Sequence, residues 1–286
     1  MERDPLRTLW TDPATVPVRR LTGEDDREAC MDLAADREWG REEPKWHLLF
    51  DACEVYGVDA PDGGLAGCYT LTRYGAEASA IGMVLVASRF EGRGLGRRMM
   101  THALSVADGV VSLHATEMGR PLYEKLGFQA IDVNSSHYGH FTGPRPDGPA
   151  TRPVRDVAEI LAYDRDAHGL DRTALLTALH RRSEAFRVVE EDGRVRGYAA
   201  AWRNTHQLVI GPVVADDLAT ATVLIADIAL AADAELRVDV LHSRSGLRRW
   251  TASHGIAPRF DGTYMSLDGV DVPGDARVWA PVTQAV

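Results

Sequence analysis

The stretch Val86-Ala87-Ser88-Arg89-Phe90-Glu91-Gly92-Arg93-Gly94-Leu95-Gly96-Arg97 decides how this chain is read. Before it runs AIGMVLVA (80–87), a continuous apolar stretch of strand length that predicts a strand buried on both faces. After it, Met100, Ala103, Leu104 and Ala107 recur at i, i+3, i+4 and i+7 and mark one face of a helix. Three glycines in five residues permit positive φ and let a ligand come close to the main chain. Consecutive N–H groups at such a turn, with the helix N-terminus behind them, form a cradle for an anion. Arg93 and Arg97 add charge-assisted bonds, so the local physics points to phosphate or pyrophosphate. A Walker loop is excluded because no Gly-Lys-Ser/Thr follows. A dinucleotide fingerprint would place a third glycine where Met99 stands. A tight strand-to-helix turn without any ligand is the plain alternative.

Working outward, the 286 residues are 45% hydrophobic and 26% charged, which predicts about two globular domains. The 32 basic and 42 acidic residues leave a net charge of −10, against a broad nucleic-acid or anionic-membrane footprint. Three cysteines without a CxxC pair read as buried free thiols, with no zinc or other metal site. MERDPLRTLW lacks an apolar signal core, and no apolar run approaches the ~20 residues of a membrane span. The expectation is therefore a soluble cytoplasmic protein.

Residues 1–15 read as an arm, 16–141 as a first domain, 142–153 as a proline-rich linker and 154–286 as a second domain. A shift of 128 residues tests whether the domains repeat: Val86 falls on Val214, Leu113 on Leu241, and Gly127-Phe128 on Gly255-Ile256. Any two mixed domains can match at a few apolar positions, which is the competing account. Under that shift Gly92, Gly94 and Gly96 become Thr220, Thr222 and Leu224, and Tyr123 becomes Thr251. Asp216-Asp217 at the corresponding turn would repel a pyrophosphate. The second domain is thus expected to cap or shape a cleft.

One strand beyond the glycine turn stands LHATEMGRPLYEKLGF (113–128), and the pair of motifs resembles motifs A and B of the GCN5-related N-acetyltransferase (GNAT) superfamily. Val86 followed by Glu91-Gly92-Arg93-Gly94-Leu95-Gly96 follows the first motif, with Glu91 in place of its usual Gln or Arg. Tyr123 to Phe128 matches the second in full, while Thr116 stands where an asparagine is common. The whole string is most similar to a tandem-domain subgroup with a degenerate C-terminal GNAT-like domain. Asp164…Gly169-Leu170-Asp171-Arg172 and Ile210-Gly211-Pro212 resemble the second half of that subgroup.

The resemblance implies an α/β (α+β) fold of two tandem GNAT-like domains, each a mixed twisted sheet flanked by helices with a splayed strand pair. It implies acetyl-CoA, with pantetheine along the main chain of Val84, Leu85 and Val86. The pyrophosphate would sit on Glu91, Gly92, Arg93, Gly94, Leu95, Gly96 and Arg97, and Thr116 would be a further contact. A main-chain N–H near Val84 would hold the oxyanion, and Tyr123 would be the general acid. For the base the chain offers Glu77, at the edge of the strand, and His114, credited with a near-neutral pKa. Trp39, Glu42, Glu43 and Trp46 lie in the region that usually lines the acceptor pocket. Asp164, Asp171 and Arg172 are candidate substrate contacts that a capping and salt-bridge set explains equally well.

The implied activity is acetyl transfer to a primary amine of a small molecule by direct attack on the thioester. Alternatives are a non-catalytic module binding CoA or a metabolite, an acyltransferase acting on a protein amine, and a nucleotide-binding oxidoreductase. The expected partner is a small-molecule amine, with no nucleic acid and no membrane. A homodimer stays open.

Overall fold

A computed structural model of the chain describes residues 15–286, so the expected arm lies outside them apart from Thr15. The alternating and continuous apolar runs become strands, and the 3.6-period stretches become helices. The first half comprises β1 (Arg19–Arg20), α1 (Gly23–Asp36), α2 (Glu43–Ala52), β2 (Glu54–Asp59), β3 (Leu65–Tyr74), β4 (Ala78–Val86), α3 (Leu95–Val106), β5 (Val110–Ala115), α4 (Arg120–Glu124) and β6 (Phe128–Gly139). The second comprises β7 (Thr151–Pro153), α5 (Ala158–His168), α6 (Thr173–Arg182), β8 (Ser183–Glu191), β9 (Arg194–Asn204), β10 (Gln207–Ala215), α7 (Leu218–Ala229), β11 (Glu235–Leu241), α8 (Ser245–Ser253), β12 (Ile256–Leu267) and β13 (Val278–Ala280).

All the strands join one mixed sheet in the order β1-β2-β3-β4-β5-β12-β6-β11-β10-β9-β8-β7, with β13 added to β10. The last long strand of each half is exchanged: β12 pairs with β5, and β6 pairs with β11. At the centre β6 and β12 run antiparallel from Phe128↔Leu267 to Gly139↔Ile256. The halves therefore share a continuous hydrogen-bonded ladder. The segment 142–153 is pinned as well, since Arg145 bonds Asp227 at 2.6 Å and β7 pairs with β8.

Helix α3 buries Leu95, Met99, Met100 and Ala103, and α7 is buried almost all round. Cys30, Cys53 and Cys68 are free and buried. Among the described residues no helix is long and apolar enough to cross a membrane.

The two halves repeat one irregularity. On β4 the register against β3 slips so that Met83 and Val84 stand opposite Tyr69, a bulge in which Met83 takes φ +48°. Parallel pairing with β5 stops at Ile81↔Leu113, and the β4 edge beyond Gly82 is released from β5. On β10 the slip falls between Ile210 and Val213, and parallel pairing with β11 stops at Ile210↔Val238. This register corrects the uniform shift of 128: the counterpart of Leu113 is Val238, three residues short of Leu241. The 128-residue spacing holds for β6 and β12 but fails at the helices. Eight residues join β4 to α3, whereas two join β10 to α7.

Candidate active site

The released edge of β4, the glycine turn and the start of α3 form one wall of a cavity of about 1150 Å³. Val84, Leu85, Val86, Glu91, Gly92, Gly94, Leu95, Gly96 and Arg97 all line it, as do Thr116 and Tyr123. The turn takes the shape its glycines allow. Gly92 and Gly94 have φ of +72° and +80°, and Gly94 is the N-cap residue of α3. A Cβ on Gly96 would sit 3.1 Å from Leu122, so this glycine lets α4 close in. The loop is braced at its start by Asp36, which accepts from Ser88 N at 2.6 Å and Ser88 Oγ at 2.8 Å. Those bonds hold the Asp36 carboxyl below its usual range, the Ser88 N–H contributing most. The Glu91 carboxylate turns to Arg37, 3.5 Å away. Arg93 does not line the cavity; its guanidinium lies 5.7 Å from the Phe90 ring centroid.

Tyr123 is held by α4 and packs edge-on to Phe128, with ring centroids 6.1 Å apart. Burial pushes its phenol up to about 12, so it stays an O–H donor at any working pH. Thr116 Oγ1 accepts from Gly119 N at 3.2 Å in the turn before α4, although Thr116 still borders the cavity.

Neither expected base keeps its role. His114 lines the cavity, stacked on Tyr264 at 4.5 Å, but desolvation pushes its imidazole down to about 4. A group so weakly basic cannot draw a proton from an alkylammonium, whose ordinary value is ~10.4. Glu77 sits in the turn before β4, at the opposite end of that strand from the glycine turn, and does not reach the cavity. At ~3.3 Å per residue, even Met83 lies about 20 Å along the strand from it.

The far end of the cavity is built by both halves. Trp39, Glu42 and Lys45 come from the α1–α2 connection and α2, and Ser136, Tyr138, Arg237, Phe260 and Gln284 from the sheet centre and the C-terminal segment. Glu42 accepts from Asn204 Nδ2 of the second half at 2.6 Å and from Lys45 Nζ. Arg237 grips Asp239 side-on, Nε and Nη2 each 2.9 Å from a carboxylate oxygen. Burial alone would raise the Asp239 carboxyl, but Arg237 and the Ser136 hydroxyl outweigh it and hold it below its usual range.

Several expected contacts lie elsewhere. Trp46 is fully buried in the core, and Glu43 faces solvent beside His47. Asp164 is buried among His168, Arg172 and Tyr198, the Arg172 nitrogens being 3.1 and 3.2 Å from its oxygens. Asp171 caps Thr173 N at 3.0 Å. Arg172 and His168 face a second cavity of about 470 Å³, which shares Ile81, His114, Gln284 and Ala285 with the first. The capping and salt-bridge account fits these three residues better than contact at the acceptor end. The sequence reading missed Lys45, Tyr138, Arg237, Phe260 and Gln284. Arg237 and Asp239 carried a usable signal, because with Glu235 they put charges at i, i+2 and i+4 on one face of a strand whose other positions are apolar.

In the second half the equivalent strand edge is covered. β13 pairs antiparallel with β10, Ala280 opposite Val213 and Val278 opposite Val214. The chain then continues over Gly211, where a Cβ would meet the Pro281 carbonyl oxygen at 2.1 Å. It ends against Gly82 of β4, where a Cβ would meet the Ala285 oxygen at the same distance. Asp217 caps α7 by accepting from Thr220 N, so that helix N-terminus is already satisfied.

Comparison with known proteins agrees with this geometry. Profiles of the acetyltransferase (GNAT) domain match residues 51–130 and 160–278, once in each half. The uncharacterized N-acetyltransferase YitH of Bacillus subtilis (strain 168) is 29% identical over 217 residues, covering 73% of this chain and 76% of that protein. A crystal structure from Pyrococcus horikoshii, provisionally named an acetyltransferase, superposes with a TM-score of 0.78 at 19% identity, covering 94% of this chain and 95% of that one. A tandem GNAT protein from the clavulanic acid biosynthesis pathway superposes with a TM-score of 0.60 at 15% identity, covering 91% and 99%. These two superpositions speak to the fold. The duplicated profile match and the paired sheet halves together make the chain a tandem-domain member of the GNAT family and an acyltransferase.

Proposed function

We propose that the chain is an acetyl-CoA-dependent N-acetyltransferase with one catalytic site, in the first half, acting on a primary amine of a small molecule. The observation that carries this reading is the pair of strand edges. The β10 edge holds an extended segment, β13, by main-chain pairing, and the equivalent β4 edge faces open cavity. An extended pantetheine arm suits such an edge for the same reason an added strand does. The residues present fit the rest of the cofactor: the Gly92–Arg97 turn offers N–H groups and a helix N-terminus to the diphosphate. Acetyl-CoA, when bound, supplies an activated acetyl thioester.

The chain's own groups then divide the work. The bulge at Met83 and Val84 frees main-chain N–H from the β5 ladder and leaves it for developing negative charge on the carbonyl oxygen. Tyr123 donates a hydrogen bond to the leaving sulfur; at about 12 its phenol lies above an ordinary thiol (~8.5), so donation is favoured over complete proton loss. His114, neutral and with a buried Nδ1 lacking a partner among the described residues, accepts a hydrogen bond that orients the amine or a water beside it. As the C–N bond forms and the C–S bond breaks, the sulfur leaves as the thiolate that Tyr123 hydrogen-bonds, and the amine's proton passes to solvent. The second half walls the acceptor end, which favours a small acceptor over a protein surface. The test is Tyr123→Phe assayed for thioester consumption and for acetyl-CoA binding. Lost turnover with retained affinity supports the assignment, and undiminished turnover refutes it.

A further inference from the structure

The acceptor end holds unengaged charged N–H donors that the acetyl-transfer reading leaves unexplained. Two cations face it from opposite halves: Lys45 on α2, 7% exposed, and Arg237 on β11, 13% exposed at its side chain. Each has an anionic neighbour, but those anions are already satisfied. Both oxygens of Asp239 are occupied, one by Arg237 Nε and Ser136 Oγ, the other by Arg237 Nη2 and the Gln284 N–H. Both oxygens of Glu42 are occupied as well, by Asn204 and Lys45. The cations are not used up. Among the described residues no hydrogen bond engages Arg237 Nη1, and the Lys45 ammonium has one partner for three N–H groups. This end of the chamber thus has charged donors left over, while each carboxylate oxygen there already accepts at least one hydrogen bond.

We infer that the acceptor carries a carboxylate besides its amine, and that Arg237 and Lys45 read that carboxylate. A diamine or polyamine would set its second ammonium beside two cations and would offer their spare N–H groups no acceptor. A neutral amino sugar would offer the spare N–H groups of these cations only uncharged acceptors. A carboxylate fits both groups: the planar Nη1 edge of Arg237 takes one or two of its lone pairs, and Lys45, from the other half of the chain, supplies a point charge. Tyr138, with Arg237 5.6 Å from its ring centroid, fixes the guanidinium plane that presents this edge. The acceptor would enter as a zwitterion of the amino-acid type, its ammonium turned toward His114 and Tyr123 and its carboxylate toward β11. This rests on the acetyl-transfer reading of the same cavity.

The test sets each amino acid in a panel beside the amine that lacks its carboxyl group, with aminoalkylphosphonates as a third arm. Two readouts are used: thioester consumption with acetyl-CoA, and calorimetric binding of the acceptor to protein saturated with CoA. The expected result is at least one carboxylated member preferred over its decarboxylated partner by roughly 10–100-fold, the range for a hydrogen bond to a charged group. Arg237→Gln should shrink that ratio at least tenfold. Because this substitution strips the buried Asp239 of its partner, the double variant Arg237→Gln with Asp239→Asn and the single variant Lys45→Met provide a second route to the same loss. Equal or better use of the decarboxylated amines, preference for phosphonates, no carboxylated member used or bound, or a ratio indifferent to all three variants overturns the proposal. Thioester consumption with a carboxyl-free amine that equals or exceeds that with its carboxylated partner would leave the acetyl-transfer reading standing while removing this one. Absence of acetyl-CoA binding would remove the reading beneath it.

Discussion

The two halves share a strand bulge, a parallel strand pair that parts and a helix that follows, yet one edge is open and the other is filled. In the first half β4 leaves β5 at Gly82, and eight residues rich in glycine lead into α3. In the second, β10 leaves β11 at Gly211, two aspartates lead into α7, and the chain's own β13 lies on the vacated edge. The difference teaches how a duplicated binding fold loses one site without losing its shape. An unpaired strand edge inside a protein must be satisfied by something. The second half satisfies it permanently from its own sequence, which frees its helix N-terminus to be capped by Asp217. The first leaves it for a ligand and keeps the anion cradle beside it.

The comparison can be broken most sharply at Tyr123, which lines the open half. Tyr123→Phe should lower kcat by about 10²–10⁴-fold, the usual worth of a positioned proton donor, while the dissociation constant for acetyl-CoA changes by less than about threefold. Steady-state kinetics with calorimetry checks both parts.

His114 and Asp239 stand at matching register positions on β5 and β11, and they predict an acid-sensitive core. Burial lowers the folded pKa of His114 to about 4, below the ordinary 6.5. Between those values the unfolded chain binds more protons, so stability falls as pH drops from about 6.5 to 4, by roughly 3 kcal/mol from this group if fully realised. Denaturant unfolding across that window should show the loss, and His114→Gln should flatten it.

Gly211→Ala tests the filled edge, since the added methyl must displace the Pro281 carbonyl. A stability loss of roughly 1–3 kcal/mol is expected from overpacking, with acetyl-CoA affinity in the other half preserved. The smallest effect is assigned to Glu77→Gln. Its position at the remote end of β4 predicts turnover within about twofold of the parent, and a hundredfold loss would return it to the candidate bases.

Much of this is legible in the residues. The apolar run 80–87 becomes β4, the i, i+3, i+4, i+7 face becomes α3, and Tyr123 to Phe128 leads from a short helix into a strand as expected. The strand exchange is not legible, because a period-2 pattern says which face of a strand is buried and nothing about which neighbour it meets. The uniform shift of 128 fails for a physical reason too: the loop between strand and helix is shorter in the second half, so the offset changes within the domain. Trp46 lies on the helix that borders the pocket, but the helix face that carries it packs into the core. His114 stands where the strand pattern puts it, yet its basicity does not follow, since sequence does not report desolvation. Arg237 escapes a motif-based reading because it lies far from the motifs in sequence and reaches the site through the exchanged strands.

The most direct test is the number of CoA sites per chain. Calorimetric titration with acetyl-CoA should give one site per chain, weakened about tenfold or more by Gly94→Val, which forces a branched side chain into a φ of +80° at the mouth of the cradle. Two sites per chain, or one site indifferent to that substitution, would contradict an open first half and a self-filled second.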